Sequence, residues 1–235
     1  MKREMKYTTI FFDLDDTLID TEKNSRDSLK DIYIDYQFNN YFPSLDDFIK
    51  KYMQINLHLW DLYEHGHITK ETLQTERFKQ TLKGFINLSP EQSLNINHDF
   101  LSRTTVKKNV IKGVKEVLEY LYPKYPLYIL SNGFEEIQDR KMQTADLKPY
   151  FKKVILSDHI GKNKPHPDIF LHALKEADST HADAIMIGDN IRTDITGAKN
   201  SEIDQVWYNP QNLSDEYNIS PTYTIQNLEE LKNIL

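Results

Sequence analysis

Asp13 and Asp15 stand two residues apart at the end of an apolar run, Thr8-Thr9-Ile10-Phe11-Phe12, with Asp16 and Thr17 just behind them. On a continuing strand the pleat would send the two carboxylates to opposite faces, whereas a chain leaving the strand for a loop lets both approach one point. Carboxylates held that close repel one another unless a cation or a shared proton compensates. A hard divalent cation with oxygen ligands, Mg²⁺, is the compensator this pattern predicts. Further polar groups follow other apolar runs: Ser131 and Asn132 after Leu127-Tyr128-Ile129-Leu130, and Asp189 and Asn190 after Ala184-Ile185-Met186-Ile187, with Asp194 beyond. Lys164 lies in the loop Gly161-Lys162-Asn163-Lys164-Pro165-His166-Pro167-Asp168. Acids, a hydroxyl, an amide and an amine converging on one edge make a site for a metal and a phosphoryl group. Taken singly, each has a bland reading: a solvated acidic turn, a Ser-Asn-Gly turn, a surface lysine, a loop cap.

The elements that must bring these groups together are strands and helices in alternation. The run at 8–12 has the β-branched and aromatic character of a strand buried on both faces of a parallel sheet. Strands are also predicted at 126–130, 154–156, 184–187, 205–208 and, at an edge, 223–225, with helices at 113–122, 134–145 and 167–177. The tail from Asn227 is amphipathic through Leu228, Leu231, Ile234 and Leu235. Such alternation gives a doubly wound α/β, Rossmann-like parallel sheet, and ligands of such sheets sit outside the carboxyl ends of the strands.

Between Leu18 and Thr104 the pattern changes to apolar residues at helical spacing only. Leu29, Ile32, Tyr33 and Tyr36 fit one helix face. Ser44 before Phe48, Thr69 before Leu73, and Ser89-Pro90-Glu91-Gln92 are helix starts. The stretch predicts about four helices and no strand, too much for a crossover. It is read as a helical bundle inserted at 18–104 into a core made of 1–17 and 105–235.

Composition excludes several classes. The chain has 235 residues, no cysteine and a net charge of −7. It therefore has no disulfide framework or thiolate site, and its overall field disfavours nucleic acid polymers. No apolar stretch reaches the length of a membrane span, and the charged start has no apolar leader behind it. Together with the absence of cysteine this predicts a cytoplasmic protein with no membrane partner, a monomer or homodimer.

Asp13-Leu14-Asp15-Asp16-Thr17, Ser131-Asn132-Gly133, Lys164-Pro165 and Gly188-Asp189-Asn190 with Asp194 resemble, in order and in type, the four motifs of the haloacid dehalogenase superfamily. The resemblance implies that Asp13 attacks phosphorus to form an aspartyl phosphate and that Asp15 protonates the leaving group and then activates water. It implies one Mg²⁺ on Asp13, Asp189 and the Asp15 backbone carbonyl. Ser131, Asn132 and Lys164 would hold the phosphate, aided by the backbone N–H groups that follow Asp13 and Asn132. Thr17 and Asn190 would shape the loops, and Asp194 would orient Lys164 or reach the metal through water. In this superfamily haloacid dehalogenases lack the acid that Asp15 supplies, and phosphonate-cleaving members carry a small residue there. The resemblance thus favours phosphate-ester hydrolysis, with phosphohexomutase chemistry left open.

Within the insertion, Asn56, His58, Trp60, Tyr63, His65 and His67, with Arg77 further on, resemble the cap of the noncanonical pyrimidine nucleotidases, house-cleaning 5′-nucleotidases of the same superfamily. A cap is expected to close over the core and exclude water. Asn56, Trp60, Tyr63, His65, His67 and Arg77 are the candidates for substrate choice, and a nucleoside monophosphate the implied substrate. Packing aromatics and a solvated turn is the plainer reading of each. The three histidines lack the carboxylate or cysteine partner a zinc site needs. A phosphatase of another small metabolite (a sugar phosphate, a phosphoglycolate or FMN) and a catalytically silent binding protein are the alternatives.

Overall fold

The computed structural model describes residues 6–235; the charged start at residues 1–5 lies outside them. The chain divides into two compact units, Met1–Asp20 with Asn109–Leu235, and Thr21–Lys108. The crossing points therefore lie a few residues beyond the expected 17/18 and 104/105. Leu18 and Ile19 are buried in the core of the first unit, and Ile19 bridges both Asp15 and Val110. Asp20 N donates to Asn109 O, closing the unit's two strands of chain where it is left and re-entered. Apolar character alone could not assign these residues, because either unit has a core to bury them in.

Strand β1, Thr9–Phe12, is buried along its length. The helical unit follows, with α1 Thr21–Asp35, α2 Leu45–Glu64, α3 Lys70–Thr81 and α4 Pro90–Thr104. Three of its helix starts use side-chain caps. Ser44 accepts from Asp47 N and Thr69 from Thr72 N, while Ser89 and Gln92 form a reciprocal box with Pro90 in the first turn. Each such cap satisfies a backbone donor the helix cannot and contributes about 1 kcal/mol. Leu29, Ile32, Phe48, Tyr52, Phe78 and Phe100 form the centre of this unit. The Tyr52 ring lies 5.1 Å from Phe78 and 5.3 Å from Phe100, tying α2, α3 and α4 together. Tyr36 falls past the end of α1 instead of on its apolar face, because Gln37 takes a left-handed φ of 55° and ends the helix.

The first unit resumes with α5 Val114–Leu121, β2 Leu127–Ser131, α6 Glu135–Thr144, β3 Lys153–Leu156, α7 Ser157–Ile160 and α8 Pro167–Glu176. It ends with β4 Ala184–Gly188, α9 Thr196–Asn200, β5 Asp204–Tyr208, β6 Tyr223–Ile225 and α10 Leu231–Ile234. The amphipathic tail from Asn227 is a 3₁₀ turn, Leu228–Glu230, running into the short α10, with Leu228 and Leu231 buried. The six strands are all parallel, in the order β3-β2-β1-β4-β5-β6. Alternation along β1 sends Ile10 and Phe12 to one face with Val117, Leu118 and Leu121. Phe11 goes to the other face with Phe170 and Met186.

The order of the strands is what positions the site. Chain direction across the sheet reverses at β1, the switch point where such sheets bind ligands. Phe12 lies opposite Ile129 of β2 and Ile187 of β4, so the three strands end within two residues of one another. Asp13, Ser131 and Asp189 are thereby delivered to one edge of the sheet. Among the described residues no helix is long and apolar enough to cross a membrane.

Candidate active site

Asp13 is the first residue past β1, and its N–H donates to Ile187 O at 2.9 Å, which fixes the carboxylate against the end of β4. The chain then turns tightly: Leu18 N and Ile19 N both donate to Leu14 O, and Asp16 adopts a left-handed φ of 59°. Asp15 accordingly leaves the strand alternation, as two acids aimed at one locality require. Thr17, fully buried, donates to Asp189 Oδ1 at 3.0 Å and accepts from Asp189 N at 3.0 Å. It is a latch between the β1 and β4 loops.

Lys164 is 1 % exposed, and its Nζ bonds Asp13 Oδ1 at 2.6 Å and Leu130 O at 2.7 Å. Asp194 Oδ1 also lies 2.6 Å from Nζ, an ion pair out of line for a good hydrogen bond. Burial would by itself lower the Lys164 pKa, but Asp13 and Asp194 outweigh it and hold the ammonium above its ordinary range. Asn132 was expected on phosphate. Its amide instead accepts from Lys164 N at 2.8 Å and donates to Lys164 O at 3.0 Å, holding the loop that delivers the lysine. The N–H after Asn132, that of Gly133, donates to Ser131 Oγ at 3.1 Å.

Asp189 follows β4. Its backbone carbonyl accepts from the Trp207 indole at 2.8 Å, a contact from β5 that the sequence did not announce. Asn190 then caps a single π-helical turn, Ile191–Ile195, accepting from Arg192 N and Thr193 N. Such wide turns cluster at functional sites. This one carries Asp194 back so that its Oδ2 accepts from Asn190 N at 3.1 Å while its Oδ1 faces Lys164. Gly188 is required here, since a Cβ on it would lie 2.3 Å from Asp194 Oδ2.

Asp13, Asp189 and Asp194 each place a carboxylate oxygen within 4.8 Å of the others'. Three carboxylates against the one ammonium of Lys164 leave two negative charges uncompensated. Burial pushes the Asp13 carboxyl up to about 7, with Lys164 pulling it down and Asp194 and Asp15 adding to the rise. Asp189 is raised well above the carboxylate range, by burial first and then by the charges of Asp13 and Asp194. A charge deficit of two in an all-oxygen donor set fits a divalent cation of the Mg²⁺ kind. Without one the site would repel a phosphate dianion.

Asp15 is held from α6. Gln138 Nε2 donates to its Oδ2 at 2.6 Å, and Lys141 Nζ pairs with its Oδ1. Neither residue was read as part of the site from sequence. The signal was there in a weak form: two polar side chains one turn apart on the helix that follows Ser131-Asn132-Gly133.

In the helical unit, Trp60 and Tyr63 meet edge to face at 5.6 Å and the Arg77 guanidinium lies 5.6 Å from the Trp60 ring centre. Arg77 is buried and donates to Asn97 Oδ1 at 3.3 Å, and burial lowers its pKa. Asn56 is half-buried on α2. His65 and His67 are exposed and stack at 6.1 Å. Among the described residues the acids at 13, 189 and 194 form the one group spaced to share an ion; the histidines of α2 and its following turn form none.

A doubly wound sheet carries two acids after its central strand, with a buried lysine and a third acid from neighbouring loops. The sequence model of the haloacid dehalogenase-like hydrolases matches residues 7–202, and the chain belongs to that family. It is 29% identical over 232 residues to the pyrimidine 5′-nucleotidase YjjG of Escherichia coli K12, covering 98% of this chain and 99% of that one. To the pyrimidine 5′-nucleotidase PynA of Streptococcus pneumoniae R6 it is 28% identical, covering 98% of each. The magnesium-bound structure of the HAD hydrolase YfnB from Bacillus subtilis superposes with a TM-score of 0.89 at 27% identity, covering 98% of this chain and 99% of that one.

Proposed function

We propose that this chain is a Mg²⁺-dependent phosphomonoesterase working through an aspartyl phosphate on Asp13, and that its substrates are pyrimidine nucleoside 5′-monophosphates. The observation that carries the phosphatase reading is the pairing of two acids with different surroundings. Asp13 is buried beside Lys164, whereas Asp15 is more open and held by Gln138 and Lys141. Environments that differ so are how one fold assigns a nucleophile and an acid–base to two carboxylates.

Asp13, Asp189 and the Asp15 carbonyl would hold one Mg²⁺, which when bound screens the carboxylates from the incoming phosphate. Asp13 attacks phosphorus as the bond to the leaving oxygen breaks, and Asp15 gives that oxygen a proton. Water then attacks the phosphoaspartate while Asp15, left ionised by the first step, takes a proton from that water, and Asp13 is released with inorganic phosphate. Lys164 and Ser131 bind equatorial oxygens. Asn132 acts one step back, by fixing the backbone of Lys164. Asp194 keeps Lys164 charged and in place.

Preference for pyrimidine nucleotides rests on the relatives YjjG and PynA and on the aromatic group at Trp60 and Tyr63. The enzyme is taken to act in the cytoplasm, as a monomer or homodimer. Across a panel of monoesters at fixed Mg²⁺, dUMP, dTMP and UMP are expected to give the highest kcat/KM. A sugar phosphate or phosphoglycolate that beats every nucleotide would remove the nucleotidase reading and leave the phosphatase one. Stacking on a base is worth about 1–3 kcal/mol, so Trp60→Ala should raise KM for nucleotides about 5- to 150-fold and spare p-nitrophenyl phosphate. An equal loss on both substrates would make Trp60 a packing residue for Arg77 and no more.

A further inference from the structure

Two hydrogen bonds from Gln138 connect parts of the site that sequence motifs treat as separate. Gln138 is fully buried on α6, and its Nε2 donates both to Asp15 Oδ2 at 2.6 Å and to Ser131 Oγ at 2.8 Å. An amide nitrogen has two hydrogens, so both are used. Its Oε1 is buried without a partner, and turning the amide over would set that oxygen against the Asp15 carboxylate. The orientation is therefore fixed by charge. Gly133 makes room for the arrangement, since a Cβ there would lie 2.0 Å from Gln138 Nε2.

Two consequences follow for the neighbours. Ser131 Oγ accepts from Gly133 N at 3.1 Å and from Gln138, which occupies both of its lone pairs. Its single proton is left to donate, the polarity a phosphate oxygen needs. Asp15 meanwhile receives Gln138 on one oxygen and Lys141, one helical turn further along α6, on the other. A carboxylate gripped at both oxygens by the same helix has its direction set by that helix. We infer that Gln138 and Lys141 are positioning residues that aim Asp15 and fix Ser131 as a donor, so that proton transfer and phosphate binding are coupled through α6. This rests on the acid–base role proposed for Asp15.

The test compares Lys141→Met, Lys141→Arg, Gln138→Met and Asp15→Asn with the parent enzyme at saturating Mg²⁺. Rapid-quench measurement gives the rate at which Asp13 is phosphorylated by p-nitrophenyl phosphate and by an alkyl ester such as glycerol 2-phosphate. Inhibition by inorganic phosphate gives a binding constant independent of chemistry. General acid–base catalysis contributes about 10²- to 10⁴-fold, so losing its aim should slow the alkyl ester on the order of tenfold or more. The p-nitrophenyl ester, whose leaving group needs no proton, should change far less. Lys141→Met should leave phosphate inhibition unchanged, and Lys141→Arg should restore the alkyl rate. Gln138→Met should show the same selectivity and, in addition, weaken phosphate inhibition several-fold. If Asp15→Asn discriminates between the esters but neither the Lys141→Met nor the Gln138→Met enzyme does, the positioning role is wrong and the acid–base assignment stands. If Asp15→Asn slows both esters equally, the acid–base assignment falls and the positioning role with it.

Discussion

Asp13→Asn is expected to abolish turnover and, at the same time, to make the metal-free protein harder to unfold at pH 8. The first half follows from chemistry: an amide is not a competent nucleophile, and loss should exceed about 10⁴-fold, as when a covalent nucleophile is removed elsewhere. The second half follows from electrostatics. Burial raises Asp13 from 3.8 to about 7. At pH 8 its ionised form is thus carried in the fold at a cost, and linkage makes that cost on the order of a few kcal/mol. Asparagine has no charge to desolvate, and its Oδ1 can still accept from Lys164. Lys164 also keeps Leu130 O and Asp194. Thermal melts in EDTA at pH 8 check this, beside mass-spectrometric trapping of a phosphorylated peptide in the parent enzyme. A melting temperature for Asp13→Asn below the parent's would show that Lys164 needs the carboxylate more than burial penalises it. Phosphate trapped on any other residue would overturn the nucleophile.

The middle of the sheet was legible from sequence because β1, β2 and β4 are buried along their whole length. Runs such as Ala184-Ile185-Met186-Ile187 carry no polar residue that could mislead. Helix starts in the insertion were legible for a similar local reason, since Ser44, Thr69 and Ser89 cap within three residues of themselves. What could not be read is what depends on distant pairs. Asn132 has the chemistry of a phosphate ligand, and only the structure shows its amide on the backbone of a residue 32 positions away. Gln138 and Lys141 sit 123 and 126 positions from Asp15. Trp207, an ordinary core residue by pattern, turns out to donate to the carbonyl of Asp189. The π-helical turn that swings Asp194 onto Lys164 has no composition of its own. The motifs name the reacting groups, and the residues that aim them are spread over helices that pattern alone assigns to packing.

Removing divalent metal is expected to stop turnover altogether and to leave a protein whose stability falls as pH rises from about 4 to about 7. Both Asp13 and Asp189 have folded pKa values raised above their ordinary ones, the first to about 7. Across that window the folded state binds more protons than the unfolded state, so the free energy of unfolding decreases with pH. The depressed carboxyls of Glu76 and Asp204 work in the opposite sense, adding stability as pH rises, but their contribution is complete near the bottom of the window. Mg²⁺ binds the ionised carboxylates and not their protonated forms, so its stabilising effect should be small at pH 5.5 and large at pH 8. Melting temperatures with EDTA and with excess Mg²⁺ at both pH values measure this without reference to activity. Asp13→Asn should flatten the metal-free slope, which separates the contribution of this site from that of the rest of the molecule. Activity surviving exhaustive EDTA would refute the metal requirement. A metal-free stability that climbs from pH 5 to 7 in the parent, with no change of slope in Asp13→Asn, would mean that the three acids are not the uncompensated cluster their geometry describes.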